Sequence, residues 1–260
     1  MSNILKCDFY RFSRSKLLYA LAAFSAVIAF TLTAAIRQGI RVGISVFGDL
    51  TAFRGTDDIV LAGVQFHKGL GVIVAILLSV LIGQEYEWKT WQHKWMTNRN
   101  RSGRSGIYLS KALFGVVCSS GVFLAYQMTV LFCSNQIREM LTIEYTAMIV
   151  SGIFIFAALG AVICMLSMLI KNSAASVIVC LCYVLFSETV ASVMGSVGNV
   201  SPAIGHVVAL CIKHSLFGMS TLVSTMADSP EHTYFIVLNS CAIISLSTAF
   251  GLAIFRRYEL

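Results

Sequence analysis

Long apolar stretches with few or no charges dominate the sequence and decide what it can fold into. A helix needs about 20 mostly apolar residues to cross a hydrocarbon core of ~30 Å. Six stretches satisfy this requirement, and the second of them is expected to begin near Val60, with His67 and Lys68 in its outer end. The predicted spans are Leu17–Ile36, Val60–Gly83, Ile107–Phe132, Ala147–Ile170, Ser173–Val197 and Thr233–Phe255. The sequence therefore predicts an all-α integral membrane protein with six transmembrane helices.

The composition places the whole chain in the membrane class. Of its 260 residues, 57% are hydrophobic and 12% are charged, whereas soluble domains are roughly 45–50% apolar and about 25% charged. No segment is long and polar enough to form a separate soluble domain, so residues 1–260 are predicted to be one membrane domain. The eight cysteines show neither a CxxC pair nor a zinc-type spacing with histidine, and no metal site is expected.

The distribution of basic residues predicts the orientation. With the N-terminus inside, thirteen of the nineteen lysines and arginines fall in inner segments, as the positive-inside rule requires. Both termini are therefore expected in the cytoplasm, with the chain in the plasma membrane. This topology already accounts for the net charge of +7, and no nucleic-acid partner is expected.

The segment 84–105, between the second and third spans, is basic and carries all three tryptophans. In a helix, Trp88, Trp91 and Trp95 would share one face at i, i+3 and i+7. Glu85 and Lys89 would form an i, i+4 pair with the acid on the N-terminal side, the more stabilising order. Such a helix can transmit force to a partner protein or float among lipid headgroups.

The N-terminal segment 1–16 has the pattern of an interfacial amphipathic helix. Leu5, Phe9 and Phe12 recur at helical spacing, and Arg11 and Arg14 lie on other faces. Ahead of a span, this pattern favours a helix lying in the inner membrane interface. The alternative is a basic tail that only orients the first span.

Two further features are candidate functional elements. Glu188 is the sole acid expected deep in a span, and because intramembrane carboxylates are costly and often functional, it is a candidate for the substrate path or for a dimer contact. It could instead make a structural hydrogen bond or lie nearer the outer surface. The segment 198–232 contains apolar runs that are too short to cross, which indicates re-entrant or interfacial helices. We expect its His206 and His214 to make polar contacts.

Three groups of residues, taken in order, resemble one known family. The chain opens with Phe9–Arg11 followed by Ser15–Lys16, continues after the second span with Glu85–Tyr86 and Thr90, and enters the third span with Ser110–Lys111. This order is similar to that of the ABC-2 type permeases, the membrane subunits of ABC transporters with the type V exporter fold. The resemblance covers the whole chain as topology and these motifs as residues. Lys89 stands where many members have glycine.

The resemblance implies that the segment 84–105 is a coupling helix that docks on a separate ATP-binding subunit. The implied coupling residues are Glu85, Tyr86, Trp88, Lys89, Thr90, Trp91 and Trp95. The chain has no G-x-x-x-x-G-K-[ST] sequence, so it lacks a Walker A phosphate loop. ATP and Mg²⁺ would therefore be bound by the partner, and this chain would hold no cofactor and have no enzymatic activity of its own.

The implied assembly is an exporter with two permease chains, identical or homologous, and a dimer of ATP-binding subunits in the bilayer. Expected substrates are amphipathic peptides, antibiotics or lipid-like compounds, as in permeases that give immunity to lantibiotic-type peptides. An alternative is an ion-coupled secondary transporter using Glu188. A third reading, an intramembrane enzyme, needs at least two convergent acidic or histidine side chains at membrane depth, and the sequence supplies one.

Overall fold

The computed structural model describes residues 2–39, 42–46, 49–53, 55–88, 101–134, 142–198, 202–224 and 231–257. The helices are α1 (Ser2–Ser13), α2 (Lys16–Arg37), α3 (Thr56–Val64), α4 (Leu70–Glu87), α5 (Arg101–Ser134), α6 (Ile143–Ile170), α7 (Ser173–Gly198), α8 (Pro202–His214), α9 (Leu216–Ser224) and α10 (Glu231–Arg257). Within these ranges, α2, α4, α5, α6, α7 and α10 are long and apolar enough to cross a membrane. The chain is thus a mostly helical, multi-pass membrane protein.

The bundle is organised around α4 and α6. Two thirds of the residues of α4 and half of those of α6 are buried, and α6 packs against α4, α5, α7 and α10. In contrast, α2, α7 and α10 direct large apolar side chains such as Phe24, Phe186 and Leu246 outward. A helix that is apolar on all sides is stable only where lipid or another helix covers its outer face.

Two glycines allow α5 and α6 to cross closely. A Cβ placed on Gly115 would lie 2.9 Å from the carbonyl oxygen of Gly160, and one placed on Gly160 would clash with Gly115 and with the Ser119 hydroxyl. Small residues at membrane helix crossings permit this kind of approach and increase van der Waals contact between the backbones.

Gly160→Ala is therefore expected to destabilise the bundle by about 1–3 kcal/mol, the usual cost of overpacking. The matched control is Gly195→Ala on α7, where an added Cβ would meet no atom within 4 Å. That control gains helix propensity and should be neutral or stabilising by up to ~1 kcal/mol. Thermal unfolding in detergent measures both, and equal melting temperatures would contradict the close crossing.

The second span begins later than the sequence predicts. The residues from Thr56 to Val64 form the separate helix α3, a 3₁₀ turn follows at Phe66–Lys68, and α4 starts only at Leu70. The break lies at Gly69, whose φ of +130° is readily adopted only by glycine. Side chains of α5 hold α3 in place, since the Tyr126 hydroxyl and the Gln127 amide donate hydrogen bonds to its carbonyl groups, at 3.2 and 3.0 Å. The expected start near Val60 is wrong. That expectation arises because Gly69–Gly83 alone is too short to cross, but α4 gains its length at the other end by continuing to Glu87.

A short β-hairpin is the exception to the helical architecture. Strands β1 (Val42–Val46) and β2 (Asp49–Phe53) pair antiparallel, with Val42 opposite Phe53. It lies between α2 and α3, and the Phe53 side chain is buried. No sequence pattern described above anticipates this hairpin.

The connections at the two ends of the bundle differ in length. Lys171 takes a left-handed conformation (φ 56°) and Asn172 caps α7, so α6 and α7 are joined by the expected tight turn. Between α7 and α10, the helices α8 and α9 meet at an angle of 75°. This agrees with the prediction of short helices there.

The bend between α8 and α9 is held by Asn239 of α10. Its side-chain amide donates a hydrogen bond to the His214 carbonyl at 3.0 Å. Its amide oxygen lies near the His214 imidazole, which gives His214 its expected polar contact.

Candidate functional site

A buried group of charged residues joins α1, α4 and α5 at one end of the bundle. Lys111 of α5 is fully buried, and its ammonium lies 3.2 Å from Asp8 of α1 and donates a hydrogen bond to Glu85 of α4. The Ser110 hydroxyl donates to the other Asp8 oxygen at 2.9 Å. The Arg11 guanidinium lies 3.4 Å from Glu85. We call these five residues the Lys111 cluster.

The charges of the Lys111 cluster balance, with two carboxylates against an ammonium and a guanidinium. Removing two ions from water costs several kcal/mol each, and only close pairing with further hydrogen bonds offsets this cost. Each carboxylate here contacts a cation, and Asp8 also accepts the serine hydrogen bond. The arrangement therefore favours a single geometry of the three helices, since displacing any one of them breaks at least one ion pair.

Aromatic packing seals the cluster from one side. The Phe12 ring stacks on Phe114 of α5 at a centroid distance of 3.7 Å. The Lys111 ammonium lies 4.2 Å from the centre of the same Phe12 ring, within the range of a cation–π contact. Asp8 and Phe12 are one helical turn apart on α1, so both reach α5 from the same face. This face docks α1 onto the bundle.

The first three predicted coupling residues lie at the end of α4. Glu85 and Tyr86 are in its last turn, and Trp88 directly follows it. Glu85 is buried in the Lys111 cluster, where it contacts Lys111 and Arg11. The Tyr86 hydroxyl donates a hydrogen bond to the Met168 carbonyl of α6 at 3.0 Å. Trp88 follows the end of α4 with 62% of its surface exposed, and the Arg11 guanidinium lies 5.8 Å from its ring.

The remaining predicted coupling residues are not among those the structure describes. Lys89, Thr90, Trp91 and Trp95 lie between Trp88 and the start of α5 at Arg101. The shared tryptophan face and the Glu85–Lys89 pair therefore stay predictions. The two described ends of the segment 84–105 belong to helices that form the Lys111 cluster. The first end is the last turn of α4, and the second is the start of α5.

Sequence reasoning identified Glu85, Ser110 and Lys111 but missed Asp8. The signal that could have found it is a lone acid in a basic helix, one turn before an aromatic residue.

Phe9 and Phe12, which the sequence groups on one apolar face, have different surroundings in the structure. Phe12 is 2% exposed, whereas Phe9 is 65% exposed. The face of α1 that meets the bundle is set by Asp8 and Phe12, and Phe9 points away from it.

Glu188 lies toward the opposite end of the bundle. Its carboxylate is 3.9 Å from the imidazole of His67, in the 3₁₀ turn just before α4, and its side chain is 44% exposed. The buried His67 ring also packs against Phe217 of α9, with 5.0 Å between the ring centres. The structure thus brings Glu188 together with His67 and not with the Lys111 cluster. Among the described residues, no group of three or more His, Cys, Asp or Glu side chains is placed to hold a metal ion.

Comparison with known proteins does not identify a family for this chain. No protein-family model matches the chain. No curated protein matches it at a significant level. The function is therefore argued from the residues and their contacts.

Proposed function

We propose that this chain is the permease subunit of an ABC exporter of the ABC-2 type. The observation that supports this proposal is the convergence of the three segments that resemble the family. The N-terminal helix supplies Asp8 and Arg11, the end of α4 supplies Glu85, and the start of α5 supplies Ser110 and Lys111. Residues separated by as many as 103 positions in sequence, Asp8 and Lys111, thus form one site.

In this proposal, the Lys111 cluster transmits movement between helices. In the proposal, closure of two ATP-binding subunits pushes on the segment 84–105, which acts as the coupling helix. Because buried ion pairs connect α4 to α1 and α5, a displacement of α4 would move these helices together. Rigid-body movement of this kind is an established way to link distant sites.

The proposal also assigns the orientation. The excess of basic residues favours a cytoplasmic location for both termini and for the segment 84–105. Phe9 points away from the bundle. Together with the basic residues of α1, this suits a helix that lies in the inner interface of the plasma membrane. The segment 198–232, which includes α8 and α9, then lies on the outer side.

The proposal requires partners. Without a Walker A sequence in the chain, ATP and Mg²⁺ would be held by a separate ATP-binding subunit, and this chain would not itself be an enzyme. A second permease chain, identical or homologous, would complete the transport path. The substrate class that we favour is an amphipathic peptide, an antibiotic or a lipid-like compound.

Trp88→Ala tests the proposed docking surface. Trp88 is exposed at the end of α4, and buried tryptophans at interfaces often contribute about 2 kcal/mol or more, which corresponds to roughly thirtyfold weaker binding. We expect the variant to remain folded but to lose co-purification with its proposed ATP-binding partner subunit. Tyr234→Ala, which removes an exposed aromatic side chain from the first turn of α10, is the matched control.

Two results would contradict the proposal. One is an unchanged yield of the ATP-binding subunit with the Trp88 variant. The other is transport by this chain alone, driven by an ion gradient and abolished by Glu188→Gln. That second result would support the alternative of a secondary transporter, for which the close approach of Glu188 and His67 is the relevant contact.

A further inference from the structure

An apolar groove of about 360 Å³ runs between the N-terminal part of the chain and α5. Its walls include Leu18, Tyr19 and Ala22 of α2 and, on α5, an apolar face that extends from Leu113 to Val122. The volume is within the range of pockets that hold small-molecule ligands. The groove is separate from the coupling segment and from Glu188.

The shape of the groove suits a single extended chain. Its α5 wall extends from Ser110 to Val122, which corresponds to about 18 Å along a helix. Leu113 and Val117 on this wall are each 53% exposed, and Tyr19 on the facing wall is 61% exposed. Because α2 and α5 are membrane-spanning helices, the groove opens toward the hydrocarbon core, where acyl chains are available.

The polar end of the groove includes residues that lie close in sequence to two basic residues, Arg14 and Lys16. Asp8, Ser13 and Ser110 line this end, and the Asp8 carboxylate is paired with Lys111. Ser13 is followed by the turn between α1 and α2, where Arg14 and Lys16 are both exposed. Basic residues at a membrane interface attract anionic lipid headgroups, and arginine binds phosphate oxygens through paired hydrogen bonds.

We propose that this groove binds one acyl chain of an anionic phospholipid, with its phosphate held by Arg14 and Lys16. The inference does not depend on the transporter assignment, because it uses only the groove, its apolar walls and the adjacent charges. A lipid seated there fills the space between α1, α2 and α5, and so contacts the same helix that docks through the Lys111 cluster.

Gly121 provides a direct test, since it lines the groove and a Cβ added there would meet no atom within 4 Å. The β-carbon of Gly121→Leu therefore has room, and we expect the rest of the leucine side chain to occupy the groove. Gly195→Leu on α7 is the matched control, because its added Cβ also meets no atom and it lies outside the groove. The purified full chain is titrated with phosphatidylglycerol or phosphatidylcholine, and bound lipid is counted by native mass spectrometry.

The expected result is that the unmodified chain binds phosphatidylglycerol about tenfold more tightly than phosphatidylcholine. Gly121→Leu should abolish this binding at an unchanged melting temperature, and Gly195→Leu should retain it. The double variant Arg14→Gln/Lys16→Gln should bind the two lipids equally. Equal lipid binding by the Gly121 variant and the unmodified chain would overturn the proposal. So would a Gly121 variant that turns a dimer into a monomer, since a second copy of the chain would then occupy the groove.

Discussion

Replacing Lys111 with methionine is expected to destabilise the protein by about 3–5 kcal/mol, the range observed when one partner of a buried ion pair is removed. Methionine retains most of the apolar volume of the lysine side chain, so the loss is mainly the charge. Asp8 then loses the ammonium that lies 3.2 Å away, and Glu85 loses its contact with Lys111. In thermal unfolding, the melting temperature should fall by roughly 10 °C.

The control for Lys111→Met is Lys6→Met, which removes an exposed lysine from α1 and should change the melting temperature little. A second comparison uses Glu85→Gln, alone and combined with Lys111→Met. Because the two side chains contact each other, their effects should be less than additive. Strictly additive losses, or a Lys111 variant as stable as the Lys6 variant, would contradict the ionic cluster as a stabilising unit.

Span positions could be predicted well because the membrane imposes one simple length requirement. The expected first span, Leu17–Ile36, differs from α2 by one residue at each end, and the predicted fourth span ends at Ile170 as α6 does. The second span was misplaced because the uncharged run Gly69–Gly83 is too short to cross by itself, and the missing length was sought before it instead of after it. In the structure, α4 starts at Leu70 and continues past Gly83 to Glu87. Hydropathy reports which residues avoid water, but it does not report how far a helix continues into polar residues.

The candidate site could be predicted only in part, for a different reason. Glu85 and Lys111 are conspicuous because each is a charge at the edge of a long apolar stretch. Asp8 is not conspicuous, since an acid in a short N-terminal helix is expected to be solvated. Its burial depends on docking against Ser110 and Lys111, which are about a hundred residues away. The position of Asp8 one turn before Phe12 is a local signal, but it does not identify Ser110 and Lys111 as the partners.

The distinction between the two phenylalanines of α1 matters for function, because it defines how this helix is attached. If α1 only floated in the membrane interface, Phe9 and Phe12 would contribute similarly. In the structure, Phe12 is enclosed between Phe114 and the Lys111 ammonium, whereas Phe9 is exposed. Attachment of α1 to the bundle should therefore depend on one of the two rings.

Phe12→Ala is expected to release α1 from the bundle, since removing a buried phenylalanine side chain costs about 3–5 kcal/mol. The Asp8–Lys111 pair loses its aromatic cover in the same step. Helix α1 can detach without unfolding the spans, so local opening should respond more strongly than global melting. Trypsin cleavage after Lys6 and Arg11 is therefore the sensitive measurement. The Phe12 variant should be cleaved faster by a factor of ten or more, roughly the change that 1.4 kcal/mol produces.

The control is Phe9→Ala on the same helix, which should be cleaved at the rate of the unmodified chain. Equal cleavage of both variants would mean that α1 is held by lipid contacts, and the Lys111 cluster would then not fix its position.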